Sequence, residues 1–150
     1  MKLAWALFWR LFLLLLLFSI VMSIAMNTIT LLSDPRWLPW KPSILWGAFA
    51  LLLVLSLLVL PDGAIHLLGG KGLGLASGNW RRLSWFAAVL FVVLALLNII
   101  LLFTVSDDAW AAFRLSAPFG GILLFSLFGP GIVAPNSNAE DSLGAHRGAA

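Results

Sequence analysis

Four long apolar runs, separated by shorter polar or proline- and glycine-rich segments, organise this chain. The clearest run extends from 83 to 105 and is interrupted only by Ser84, Asn98 and Thr104. As a helix rising roughly 1.5 Å per residue it is about 34 Å long, enough to cross a hydrocarbon core of about 30 Å. The four predicted spans cover residues of about 10–32, 44–60, 83–105 and 115–133. The pattern therefore predicts an all-α fold, a polytopic transmembrane helical bundle.

The segments between the spans have sequences that oppose or interrupt helix. Residues 33–42 hold three prolines, each of which restricts the backbone before it. Residues 61–79 open with a Pro-Asp-Gly turn signal and continue in a glycine-rich stretch that matches no phosphate-binding motif, so we interpret it as a flexible linker. Residues 106–113 are predicted to form a short loop. The polar segment 134–150 lacks periodicity and is predicted to be disordered.

Two features make the exact ends of the first and the last predicted spans harder to assign. Arg10 lies beside the first apolar run and is predicted to reach the headgroup region, so that the first span begins near it. A cleaved signal peptide ending at Ser23-Ile24-Ala25 is the alternative interpretation, although the apolar run continues beyond Ala25 and favours an uncleaved anchor. Near the other terminus, Gly129-Pro130-Gly131 is predicted to end or kink the last helix.

The composition agrees with a membrane protein. The chain is 62% hydrophobic and 10% charged, with a mean hydropathy of +1.06, whereas soluble domains contain about 45–50% apolar and about 25% charged residues. It has no cysteine, which excludes disulfides and thiolate chemistry. The net charge of +3 comes from basic residues spread along the chain rather than clustered on one face. The predicted partner is therefore the lipid bilayer, and no nucleic acid is expected.

Tryptophans and basic residues predict how the bundle sits in the membrane. Tryptophan favours the membrane–water interface, and the predicted interface anchors are Trp37, Trp40, Trp46, Trp80, Trp85 and Trp110. Basic residues favour cytoplasmic segments. With the N-terminus inside, six of them fall inside and three outside, and the most informative are Arg81 and Arg82 inside against Lys41 and Arg114 outside. Both termini are thus predicted to be cytoplasmic.

The polar residues within the spans are too few to predict catalysis. The acidic residues, including the adjacent Asp107 and Asp108, form no spaced acid–base pair. His66 and His146 lie in different segments and predict no metal site, and no serine has a nucleophile motif. We expect no enzymatic activity, no cofactor and no catalytic residue.

Asn98 is the strongest polar group predicted at membrane depth. An unpaired amide in hydrocarbon is costly, so Asn98 should bond to another helix, and a substrate contact is the alternative. Small residues, which allow close helix approach, occur at Gly47, Gly120 and Gly121. These four residues are the predicted packing contacts of the bundle.

The order and spacing of residues between Asp34 and Val133 resemble the intracellular septation protein A family of the bacterial inner membrane. The segment Trp40–Ile44 opens the second span, and the most specific pattern is W-x4-W-x12-N-x11-W-x2-F-[KR]. Its residues here are Trp80, Trp85, Asn98, Trp110, Phe113 and Arg114. Only one predicted span precedes Asp34, whereas family members usually have more membrane-embedded sequence there. In this respect the chain resembles a shortened or divergent member of the family.

The resemblance implies a non-enzymatic role in cell-envelope maintenance, septation and cell division. Such a protein would act through contacts with other inner-membrane proteins of division or wall synthesis, and it would carry no cofactor. A homo-oligomer is left open. The alternatives are a small transporter or channel subunit, although the spans lack a polar path, and a protein that handles lipids or envelope precursors.

Overall fold

A computed structural model of the chain describes residues 2–28, 37, 39–67 and 77–133. Its helices are α1 (Lys2–Thr28), α2 (Lys41–Val59), α3 (Ala64–Leu67), α4 (Ser77–Thr104) and α5 (Asp107–Val133). Within these ranges there is no strand, and four helices are long and apolar enough to cross a membrane. The predicted all-α bundle with four spans is confirmed. The predicted end of the first span at 29–32, most of the glycine-rich linker and the predicted disordered tail at 134–150 lie outside the described residues.

The helices extend beyond the apolar runs that predicted them. The loop predicted at 106–113 is wrong, because α5 already begins at Asp107. The backbone N–H of Trp110 donates to the carbonyl of Ser106 at 2.9 Å, which closes the first turn. Asp107 and Asp108 lie in that turn, where carboxylates interact favourably with the positive end of the helix dipole. The charges that suggested a loop instead favour a helix start.

Helix α5 continues through both of its prolines. Pro118 and Pro130 lie inside it, and it ends at Val133. Of the two predicted outcomes for Gly129-Pro130-Gly131, an end or a kink of the helix, the end is therefore wrong. Neighbouring helices and local adjustments let membrane helices accommodate proline in this way. Pro118 is a mid-helix residue because α5 starts at Asp107, before its apolar run.

The spans pack in the order α2–α4–α5–α1, and α1 and α2 meet each other only sparsely. Aromatic pairs connect successive neighbours: Phe49 of α2 meets Phe91 of α4 with ring centroids 4.8 Å apart, and Phe86 of α4 meets Phe125 of α5 at 5.9 Å. Phe18 of α1 reaches Phe49 at 5.3 Å. Three of these rings are buried in the hydrophobic core, and Phe18 and Phe86 pack against it. The sparse contact between α1 and α2 leaves room for a cleft between them.

The two ends of the bundle differ in their chemistry. At one end, which we call the Trp80 end, Leu7 of α1 and Leu83 of α4 lie beside Gly129 of α5. The short helix α3 covers this end, and its Ile65 is fully buried. The opposite end, which we call the Asn98 end, contains the start of α2, the last turns of α4 and the start of α5. The predicted orientation would place the Asn98 end outside.

Candidate functional site

Asn98 is fully buried and bonds directly to the start of α2. Its Nδ2 donates to Oγ of Ser43 at 2.9 Å, and the Ser43 hydroxyl donates in turn to the carbonyl of Ala95 at 3.1 Å. A second, longer contact of 3.5 Å joins Nδ2 to the carbonyl of Pro39. The amide and the hydroxyl satisfy each other where water is excluded, so the desolvation cost of both groups is offset. Ser43, in the first turn of α2, is therefore an interhelical partner of Asn98.

The acceptor side of Asn98 is occupied by a third helix. Nε1 of Trp110 in α5 donates to Oδ1 of Asn98 at 3.0 Å. One side chain thus connects α2, α4 and α5 through both of its polar atoms. An indole N–H can only donate, and the side-chain oxygen of Asn98 is the acceptor that it meets here.

Trp110 also contacts Arg114, the last residue of the pattern. The guanidinium carbon of Arg114 lies 4.8 Å from the centroid of the Trp110 ring, a cation–π contact. Phe113 packs edge-on against Trp46 of α2, with ring centroids 6.1 Å apart. The pattern residues Asn98, Trp110, Phe113 and Arg114, which are dispersed in the sequence, therefore meet at one end of the bundle.

These residues border a cleft between α1, α2 and α5. The cleft encloses about 350 Å³, which is within the usual size range of small-molecule sites. Its charged and polar lining comes from Ser19, Ser23 and Asn27 of α1, Lys41 of α2 and Arg114 of α5. Lys41 and Arg114, predicted as topology charges, are here brought to the same cavity. The sequence could not show this because 72 intervening positions separate them along the chain, as residues 42–113.

The structure corrects the predicted role of two tryptophans as interface anchors. Trp80 is fully buried and Trp46 is only 3% exposed, so neither ring lies against lipid. Trp37, Trp40 and Trp85 expose 38%, 36% and 51% of their surfaces, and Trp110 is half-buried. Trp46 and Trp80 are covered because they face neighbouring helices. Hydropathy along the chain cannot separate such residues from lipid-facing ones.

The glycines also separate into two groups. A Cβ at Gly47 or Gly120 would meet no atom within 4 Å, so neither is a point of close helix approach, contrary to the expectation. A Cβ at Gly121 would lie 2.8 Å from Cδ1 of Leu94 on α4. Gly129, expected only to interrupt the helix, is a close contact with two helices at once, because its Cβ would lie 3.1 Å from Leu7 and 3.2 Å from Leu83.

A second polar cluster, which the sequence did not predict, lies at the Trp80 end. The Arg10 guanidinium carbon is 5.5 Å from the Trp80 ring centroid, and the ring of His66 meets the same indole edge-on at 5.4 Å. Nδ1 of His66 lies 3.6 Å from a carboxylate oxygen of Asp62. Arg10 thus has an aromatic neighbour inside the bundle. The exposed Arg81 and Arg82 follow Trp80 directly on α4.

The two clusters offer little for chemistry on a substrate. No group of three or more histidine or acidic side chains that could hold a metal ion occurs among the residues that the structure describes. Asp107 and Asp108 are exposed at the start of α5. The polar atoms of Asn98 are directed at protein groups. The arrangement can hold helices together and present two cations at a cleft.

These features define a class: a polytopic α-helical membrane protein with an internal amide network at one end of its bundle. A family model described as intracellular septation protein A matches residues 2–138. The chain belongs to the intracellular septation protein A family.

Several relatives share the name inner membrane-spanning protein YciB. The protein from Actinobacillus pleuropneumoniae is 36% identical over 100 residues, which are 67% of this chain and 54% of the relative. That from Paraburkholderia phymatum is 34% identical over 95 residues, 63% and 54% of the two chains. That from Erwinia tasmaniensis is 34% identical over 102 residues, 67% and 57%. The chain thus spans little more than half the length of these relatives, and no solved structure matches it. The chain is a multi-pass protein of the bacterial inner membrane.

Proposed function

We propose that this chain is a non-enzymatic scaffold of the inner membrane, which supports cell-envelope maintenance and septation through contacts with other membrane proteins. The observation that supports this proposal is the hydrogen bonding of Asn98 within its own chain. Both polar atoms of this amide are engaged by Ser43 and Trp110 of its own chain. The amide within the apolar run 83–105 thus stabilises the bundle, and its two polar atoms are directed at protein groups rather than at a solute.

The outer faces of the bundle suit a scaffold. Helix α1 is the least covered of the four spans, with 17% of its most apolar window buried inside the chain. Its exposed side chains include Leu13, Leu17, Ile20, Val21 and Ile24. In lipid, such a face associates with other helices through packing rather than through the hydrophobic effect. We propose that α1 is the face that meets division or wall-synthesis proteins, and that the N- and C-termini are cytoplasmic.

In-cell photocrosslinking tests this proposal. A photoreactive amino acid at Leu17 or Ile20, in a chain with a C-terminal affinity tag, should capture membrane proteins of division or wall synthesis. The same amino acid at Leu11, which is fully buried, is the control and should capture none of them. If the α1 positions yield no protein adduct and deletion leaves cell shape and septation normal, the scaffold proposal fails.

The transporter alternative makes a different prediction for Asn98. A scaffold should lose stability and partner capture together when Asn98 is replaced by leucine, because the amide holds three helices. A transporter should lose a solute flux by more than the loss of folded chain explains, while its folded fraction keeps its partners. Flux into proteoliposomes, measured beside crosslinking, separates the two functions.

A further inference from the structure

The cleft at the Asn98 end is lined by two basic side chains that come from different helices. Lys41 and Arg114 both line it, and no carboxylate does so among the residues that the structure describes. Over the same ranges, neither cation has a carboxylate within 4.0 Å; the ion pair found there is Asp62–His66, at the opposite end. Two cations from different helices at one cavity repel each other, and an anion between them would offset that repulsion.

The lining around the two cations is polar on the α1 side. Ser19, Ser23 and Asn27 face the cleft from successive turns of α1. Hydroxyl and amide groups donate hydrogen bonds to oxyanions, and a guanidinium matches the geometry of a phosphate through paired N–H groups. The site therefore fits an oxyanion such as a phosphate ester better than a halide.

An apolar groove continues from this cleft toward the middle of the bundle. It encloses about 160 Å³ between α1 and α5, and Ser19 and Pro118 line both spaces. Its other walls are apolar side chains, among them Leu15, Leu16, Phe119 and Ile122. A charged cleft joined to an apolar groove at membrane depth has the polarity of one amphiphile. A small soluble phosphate would leave the groove empty.

We propose that this cleft binds one anionic phospholipid, with its phosphate between Lys41 and Arg114 and an acyl chain along the groove between α1 and α5. The site stands independently of the scaffold function proposed above. In this proposal the hydrogen bonds of Asn98 also help to position a lipid-binding residue. Asn98 holds the Trp110 indole and Trp110 supports Arg114, so Asn98 is a positioning residue for the phosphate.

Native mass spectrometry of the purified full chain tests the proposal. The chain is exchanged into mild detergent with phosphatidylglycerol or with phosphatidylcholine of the same acyl chains. The wild-type chain should retain one phosphatidylglycerol preferentially. The double variant Lys41→Gln/Arg114→Gln should lose roughly 25-fold in affinity, about fivefold for each cation near the membrane surface. Arg81→Gln/Arg82→Gln removes the same charge at the Trp80 end and should leave retention unchanged.

Two further variants test the groove without changing charge. Ser19→Phe fills the junction of cleft and groove and should expel the lipid. Ser116→Phe is the matched control, because residue 116 lies about 200° around α5 from Arg114 and is exposed. The conservative pair Lys41→Arg/Arg114→Lys should keep most of the binding. Circular dichroism and gel filtration of each variant establish that its fold is retained.

Three results would overturn the proposal. The first is equal retention of phosphatidylglycerol by the wild type and a folded Lys41→Gln/Arg114→Gln chain. The second is equal retention of the anionic and the zwitterionic lipid by the wild type. The third is displacement of the lipid by soluble glycerol 1-phosphate at comparable concentration, which would assign the cleft to a water-soluble phosphate ester.

Discussion

The indole N–H of Trp110 donates to the side-chain oxygen of Asn98 over 3.0 Å, which connects the last turns of α4 with the start of α5. The opposite side of the same amide bonds to Ser43 at the start of α2. In lipid, a polar group without a hydrogen-bond partner costs free energy. Ser43 and Trp110 each lower that cost by bonding to Asn98. The helix order at this end of the bundle is thereby determined by hydrogen bonds as well as by shape.

Asn98→Leu should destabilise the bundle by about 1–2 kcal/mol, because it removes the acceptor of Trp110 and the partner of Ser43 together. Thermal melting in detergent micelles, followed by circular dichroism, measures the loss. Thr104→Val on the same helix is the control, since its hydroxyl is exposed and bonds only to its own carbonyl at Ile100. A loss no larger than that of the control would contradict the role of the network.

Gly129→Leu should destabilise by about 1–3 kcal/mol, the usual range for overpacking. The added side chain would push against Leu7 and Leu83, which already approach its Cβ position to 3.1 and 3.2 Å. Gly120→Leu on the same helix should change stability by less than about 0.5 kcal/mol, since it enters open space. Denaturation with a graded mole fraction of sodium dodecyl sulfate compares the two. Equal losses would mean that α5 does not pass closely by α1 and α4.

Gly63→Ala should cost about 1–2 kcal/mol or more, for two separate reasons. Gly63 has a φ of +75°, where an L side chain is strained, and the new Cβ would lie 2.7 Å from Oγ of Ser84. Ser84→Ala alone should be nearly neutral, because that buried hydroxyl has no hydrogen-bond partner among the described residues. The double variant should therefore cost less than the sum of the two changes. Strict additivity in a double-mutant cycle would show that the two residues do not touch.

The absence of native cysteine makes the orientation directly testable. We expect Asp107→Cys to react with a membrane-impermeant maleimide in cells whose outer membrane has been permeabilised. Gly78→Cys should react only after the inner membrane is lysed, because basic residues near it predict a cytoplasmic position. Both positions are exposed at helix ends. The reverse labelling pattern would invert the proposed topology.

Hydropathy alone was sufficient for the class, the number of spans and their approximate positions. A run such as 83–105 is apolar over a length that only a membrane span needs, and lipid permits few other structures. Helix ends were less predictable, as α5 shows. Its polar first turns carry Asp107, Asp108 and Arg114, which resemble a loop in composition but form a helix that extends the span.

The tertiary structure decided which residues meet. Trp46, Trp80 and Trp85 all lie near the ends of apolar runs and were all predicted as interface anchors. The first two are nevertheless buried, and the third is exposed. Gly120 and Gly121 are adjacent, but only Gly121 approaches Leu94, because a step of one residue turns the side chain by about 100° around the helix. Lys41 and Arg114 share a cleft because α1 and α2 meet only sparsely while α5 packs along α1. Apolar patterning predicts that helices enter the membrane; the rotation of each helix about its axis depends on side chains from all of them.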